Sequence, residues 1–196
     1  MQFLPVELNG IHIYATFIQR LGAGLIDTII LLTIIIVSTI LQNINFNLAA
    51  IIELGVPIIF LVYSVFFNAT HGGTIGKLLV GIQITKINGT RISYKESFKR
   101  SSVDILLTLP LLAIIFISLT KVNQNDFLIA DIIVKDELLR VFYPSWKWMI
   151  NRAIDIWFWS EFLVLLMNKR RRALHDFIAG TIVIKKSYVI TLDKAP

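Results

Sequence analysis

The sequence predicts an all-α membrane protein with four transmembrane helices and a small cytoplasmic β-hairpin or sheet element. Three observations carry that expectation: an apolar composition, four apolar stretches, and basic residues gathered in two of the connecting segments. Hydrophobic residues fill 56% of the 196 positions and charged residues only 16%, against about 45–50% and about 25% in an average soluble domain. The mean hydropathy is +0.73. These values disfavour a soluble domain, a disordered chain and a coiled coil. They also disfavour a nucleic-acid partner, although the net charge is +6. In a membrane protein the placement of basic residues matters more than their number, because they mark the cytoplasmic face. The chain has no cysteine, which excludes disulfides, thiol chemistry and cysteine zinc sites.

The first span is expected over 21–41, with one charge, Asp27. At about 1.5 Å per helical residue it crosses a hydrocarbon core of roughly 30 Å. The second is expected over 48–67, with Glu53 and an interior Pro57, and the third over 103–119, with Asp104 at its start and Pro110 inside. Membrane helices tolerate such prolines when neighbours satisfy the freed carbonyl. The fourth is the least apolar. Residues 153–167 hold Asp155 and Glu161, and Trp146 and Trp148 look like interfacial anchors that extend the helix to 148–167. The first ten residues lack a basic head, and no small-residue cleavage site follows the first apolar run, so no signal peptide is expected.

Residues 68–102 carry Lys77, Lys86, Arg91, Lys95, Lys99 and Arg100 against Glu96 alone. The tail from 168 carries Lys169, Arg170, Arg171, Arg172, Lys185, Lys186 and Lys194 against Asp176 and Asp193. The link 42–47 is uncharged, and in 120–147 acids and bases balance. The positive-inside rule then places both termini and 68–102 in the cytoplasm, which fits an even number of spans. Within 80–94, residues 81–87 alternate, Asn88-Gly89 is a hairpin signal, and 90–94 reads as the return strand. A tail strand over 181–186 is expected to join them, because an isolated hairpin is marginal in water. Residues 127–143 have near-helical spacing, which suits a helix lying on the outer interface or touching a partner.

Several motifs occur in order: YATFIQRLGAGLIDTII at 14–30, HGGTIGKLLVGIQITKINGTRIS at 71–93, KRSSVD at 99–104 and KRRRALHDFIAGTIVIKK at 169–186. Together they resemble the RDD family of small membrane proteins, named for one arginine and two aspartates. The resemblance runs from about Val6 to Lys186 and is weakest over 120–150. It places Arg20 and Asp27 in the first two signature positions and Asp176 in the third, with Asp104 as the alternative. It implies a transport role, cation–proton exchange in some members, and an assembly or scaffold role in others.

The acidic residues at membrane positions are the candidates for chemistry. A lone carboxylate at the Asp27 position would cost about 2.5–3.5 kcal/mol on insertion scales. It therefore needs a partner, a water-filled cavity or a proton. Arg20 lies two turns away on the same face, about 10.5 Å along the axis, so a second partner from the third span is expected. Asp27 reads as a cation or proton site or, by preference, as a buried ion pair or interhelical hydrogen bond that fixes packing. Arg100–Asp104 and Arg152–Asp155 have spacings that allow same-face pairing on a helix. Glu161, opposite Arg152 on its helix, has no local partner in sequence and is a candidate proton carrier. Lys77, His175 and Asp176 form a cytoplasmic motif. Asp176 is either a cap closing onto the 72–76 turn or a gate bonded to Arg20 or Lys77. Lys169–Arg172 is an expected contact for anionic lipids. No enzyme motif is present, and His12, His71 and His175 lack metal spacing, so no catalytic residue, metal or cofactor is expected. A transporter, with several copies expected because four helices make a thin wall, and a non-catalytic subunit that binds partner proteins are the two functional readings.

Overall fold

The computed structural model describes residues 4–8 and 10–188. The far end of the basic tail, with Asp193 and Lys194, lies outside the described residues. Two compact units are present, one from residues 1–29, 62–103 and 156–196, the other from 30–61 and 104–155.

The long helices follow the apolar stretches. They are α1 (Phe17–Leu41), α2 (Phe46–His71) and α5 (Ser102–Leu119). Among the described residues, three helices are long and apolar enough to cross a membrane. The second candidate span runs on to Leu79. Leu25, Ile36, Ile40, Val62 and Phe116 all stand exposed on them. In water such surfaces would drive aggregation; against lipid tails they are matched, and the chain is an integral membrane protein. The fourth stretch forms the helix α8 (Lys147–Met167), starting one residue before the expected position. It is not among the three, because Lys147, Arg152, Asp155 and Glu161 lower its hydropathy.

In the first unit, β1 (Glu7–Leu8) and β2 (Ile11–His12) form a small hairpin that leads into α1. After α2 come α3 (Ile75–Leu79), β3 (Ile82–Lys86) and α4 (Tyr94–Arg100); after α8 come α9 (Leu174–Ala179) and β4 (Thr181–Lys185). β3 pairs with β4 antiparallel, Ile82 opposite Lys185 and Lys86 opposite Thr181. The tail strand thus joins β3 as expected. Ile182 and Ile184 pack on one side with Tyr14 and Ile87, while Ile82, Ile84 and Val183 pack on the other with Ala15 and Ala23. Both faces are covered, so Gln83 and Thr85 are buried as well.

The expected return strand at 90–94 is corrected. The Asn88-Gly89 turn forms, with Gly89 N donating to Lys86 O at 2.9 Å and φ of 87° at Gly89. The return leg makes only an isolated bridge, Thr85 to Arg91. Ser93 ends it by capping α4: its hydroxyl accepts from Lys95 N, and its amide donates to Glu96 at 2.8 Å. This reciprocal cap competes with strand extension for the same backbone.

In the second unit, the expected single helix over 127–143 is instead two, α6 (Gln124–Ile129) and α7 (Ile132–Arg140). Asp131 breaks the run, because its carboxylate accepts from the amides of Ile133 and Val134 at 3.0 Å and caps α7. Phe127 and Leu139 pack with Ala49, Leu119 and Val122 as the core of this unit. Lys135 is buried there and donates to Asn43 Oδ1 at 2.6 Å, while Gln42 donates to Glu53 at 3.0 Å.

Candidate functional site

The first unit holds a buried charge cluster centred on Asp176. Its carboxylate has no exposed surface. It sits in the third position of α9, where it accepts from the amide of Ala173 at 2.9 Å and so closes the helix start, since Ala173 has no side-chain oxygen to do so. Gly180, in the left-handed conformation at φ of 66°, ends the helix and turns the chain into β4.

Two arginines reach this carboxylate. Arg20 is held in the first turn of α1 by the Thr16–Gln19 capping box. It donates to Asp176 Oδ2 at 2.8 Å and, with its other terminal nitrogen, to the carbonyl of Arg171 at 2.6 Å. Arg100, the last residue of α4 and itself buried, donates to Asp176 Oδ1 and to Thr181 Oγ1, the latter at 2.9 Å. Burial alone would raise the Asp176 pKa, but the Arg100 and Arg20 guanidinium groups outweigh it and hold the carboxyl well below its ordinary value. Arg172 is turned inward too, donating to the carbonyls of Thr181 at 3.0 Å and Asp176 at 2.9 Å. Of the expected lipid-contact run 169–172, Arg172 is therefore a structural residue.

His175 extends the cluster. Its Nε2 faces Arg100, which can only donate, so the ring proton sits on Nδ1, in contact with Glu161. The amide of His175 donates to Glu161 Oε1 at 2.9 Å. Glu161, without a partner in local sequence, thus finds one 14 residues on. Burial, then Arg100, lowers the His175 pKa against the opposing pull of Asp176 and Glu161, so the folded ring is neutral at pH 7.

Asp27 takes a separate solution. It accepts from Thr74 Oγ1 at 2.6 Å, from the amide of Gly76 at 2.8 Å and from Tyr63 OH at 3.1 Å. Tyr63 in turn accepts from the amide of Ile75 at 2.9 Å. Asp27 and Tyr63 together cap the start of α3. A Cβ at position 76 would lie 2.2 Å from the carbonyl of Ala23, so only glycine allows this approach. Lys77 donates to Thr74 Oγ1 at 3.2 Å. The 72–76 turn is therefore closed by Asp27, and Asp176 is bonded to Arg20. The expected partner for Asp27 from the third span is corrected: its donors are Tyr63 of α2 and the 72–76 turn, and Arg20, two turns away, bonds Asp176 instead. Thr74, Gly76 and Tyr63 were not singled out from sequence as ligands of Asp27, although Thr74 and Gly76 lie in the G-T-x-G-K run.

The remaining candidates lie in the second unit. Asp104 is exposed in the first turn of α5. Arg100 ends α4 instead, so the spacing of four does not fall on one continuous helix. Arg152 and Asp155 pair at 3.6 Å on an exposed face of α8, a contact worth about 0–1 kcal/mol. Among the described residues no group of three or more histidine or acidic side chains is placed to hold a metal ion.

A double-mutant cycle separates the two acids. Arg20→Gln combined with Asp176→Asn should show a coupling energy of about 0.5–3 kcal/mol in detergent unfolding, and Arg20→Gln with Asp27→Asn should be additive within about 0.5 kcal/mol. Strong coupling between Arg20 and Asp27 would contradict the geometry. Stability should also fall on acidification. A histidine held below its ordinary value of 6.5 contributes fully above that pH and loses the contribution as the unfolded ring charges below it. The slope is at most about 1.4 kcal/mol per pH unit for one group. Asp176 has the same sign at lower pH, contributing above its ordinary 3.8 and losing that below. Unfolding between pH 7.5 and 5.5 should show the first loss in the parent protein and a flatter profile in His175→Gln.

The RDD family model matches residues 14–180, a stretch that contains Arg20, Asp27 and Asp176. No curated protein and no solved structure matches the chain. With 14–180 matched, the chain belongs to the RDD family.

Proposed function

We propose that this protein transports cations or protons across the bacterial inner (cytoplasmic) membrane, as a single RDD-type domain over 1–196 with the Asp176 cluster as its cytoplasmic gate. The observation that carries the reading is the contact of His175 with Glu161 on one side and Arg100 on the other. A proton taken up by His175 sets a cation against Arg100. The repulsion weakens the hold of Arg100 on Asp176, and the cluster opens. A carboxylate and an imidazole in contact exchange that proton, which makes Glu161 the carrier at this end. Asp176 fills the third signature position, a choice supported by its bond to Arg20. Arg20, Arg100 and Lys77 supply counter-charge. Asp27, Asp104 and the Arg152–Asp155 pair hold secondary places in this reading.

The topology that goes with it has four spans, α1, α2, α5 and α8, and two cytoplasmic termini. The 21 residues of α8 are long enough for a core of roughly 30 Å, and Trp146 and Trp148 are exposed at its start as interfacial anchors would be. Partners are the bilayer, anionic lipid near Lys169–Arg172, and further copies of the chain or other membrane proteins. A second reading, a scaffold subunit, is favoured by Asp27: three donors satisfy it, as suits a packing residue.

Flux from the purified protein in liposomes decides between them. Transport should depend on a pH gradient and vanish in Glu161→Gln while the protein stays folded. No flux from the pure protein, with stoichiometric partners recovered in mild detergent, would establish the scaffold. For the topology, Asn88→Cys should react with a membrane-impermeant thiol reagent only after the cells are opened. Labelling in intact cells would overturn it.

A further inference from the structure

A cavity of about 800 Å³ lies in the first unit between the start of α1 and the end of α8. Its lining combines the ionisable Lys169, Arg171, His12 and Glu7 with apolar residues, among them Ile18 and Leu166, both exposed. Charged and apolar lining in one groove is the combination a phospholipid presents, a charged head and a hydrocarbon chain.

The turn that presents the basic residues is built. Arg171 has φ of 47°, a left-handed conformation that non-glycine residues seldom adopt. It is held there from both sides: its amide donates to Asn168 O at 2.9 Å, and its carbonyl accepts from Arg20. Asn168 also bridges the turn, donating to the carbonyls of Val164 at 2.6 Å and Arg172 at 2.7 Å. Arg172 is drawn inward while Lys169 and Arg171 line the cavity. Strain maintained in this way is often found where a side chain has been aimed at a ligand.

We propose that this cavity binds one anionic phospholipid, its phosphodiester on Lys169 and Arg171 and one acyl chain along Ile18 and Leu166. With Glu7 as the lone acid, the lining holds one formal positive charge when His12 is neutral, which matches the single negative charge of a phosphodiester. The site narrows the anionic-lipid contact proposed above to one groove and does not depend on whether the protein transports. Because Arg20 bonds both the Arg171 carbonyl and Asp176, the lipid turn and the buried cluster share one side chain.

Native mass spectrometry of the full chain tests this, with phosphatidylglycerol and phosphatidylcholine offered in equal amounts. The protein should retain one phosphatidylglycerol in preference. Lys169→Gln with Arg171→Gln should reduce that preference on the order of tenfold. Lys95→Gln with Lys99→Gln, which removes the same charge from α4, should leave it unchanged. Ile18→Trp fills the apolar wall without touching the turn and should also reduce retention, so the site remains testable if the basic pair proves unstable. No preference in the parent protein would overturn the anionic-lipid contact altogether. A preference that survives both Lys169→Gln with Arg171→Gln and Ile18→Trp, or that falls equally in the α4 variant, would overturn the groove alone.

Discussion

A carboxylate with no exposed surface, Asp176, sets the terms for the first unit. An isolated buried charge carries a desolvation penalty of several kcal/mol, which only well-placed partners offset. Asp176 receives two guanidinium groups, a backbone amide and a hydroxyl, the last from Thr181 at 3.3 Å. Those donors come from the start of α1, the end of α4, the start of α9 and the first residue of β4. The pairing of β4 with β3, the packing of α9 and the entry angle of α1 are therefore mutually dependent. Removing one arginine would leave the buried anion with a single guanidinium partner; removing the carboxylate would leave two cations facing each other.

Asp27 shows a different way of housing an acid in the same unit. Its donors are neutral: a hydroxyl from Thr74, a phenol from Tyr63 and the amide of Gly76. The nearest cation, Lys77, reaches it only through the Thr74 hydroxyl, and the short helix α3 gains caps it cannot supply for itself, since that hydroxyl is turned to Asp27. Arg20 and Asp27 are thus two turns apart on one helix, yet the first answers to an acid and the second to a turn.

Much of the fold was legible because membrane solvation writes itself into composition. The three candidate spans and the tail strand follow from local runs of apolar or alternating residues. The return strand at 90–94 and the single helix at 127–143 were not legible from periodicity. In both, one capping residue, Ser93 or Asp131, redirected the backbone. The site was legible in its residue types and not in its pairings. Arg20, Arg100, Glu161, His175 and Asp176 each stood out, but Arg20 meets Asp176 across 156 positions and Arg100 meets it across 76. Spacing rules reach only three or four residues along a helix, and so they suggested Asp104 as the nearer partner of Arg100.

The cluster also holds more ionisable groups than a simple structural clamp requires. Asp176 and Glu161 face Arg20 and Arg100, with His175 neutral between Glu161 and Arg100. A hydrophobic replacement of similar volume often holds helices together as well as a buried ion pair does, or better, so stability alone is a weak account of five ionisable side chains in contact. What an ionic arrangement adds is a response. One proton on His175 changes the balance by a full charge at the point where Arg100 divides its donors between the imidazole and Asp176. Through Asp176 that change reaches Arg20, and through Arg20 the carbonyl of Arg171. In the proposed gate the histidine is placed where a single proton acts on the bonds joining α1, α4 and α9, and that placement distinguishes this cluster from the Arg152–Asp155 pair, which is exposed and three residues apart on one helix.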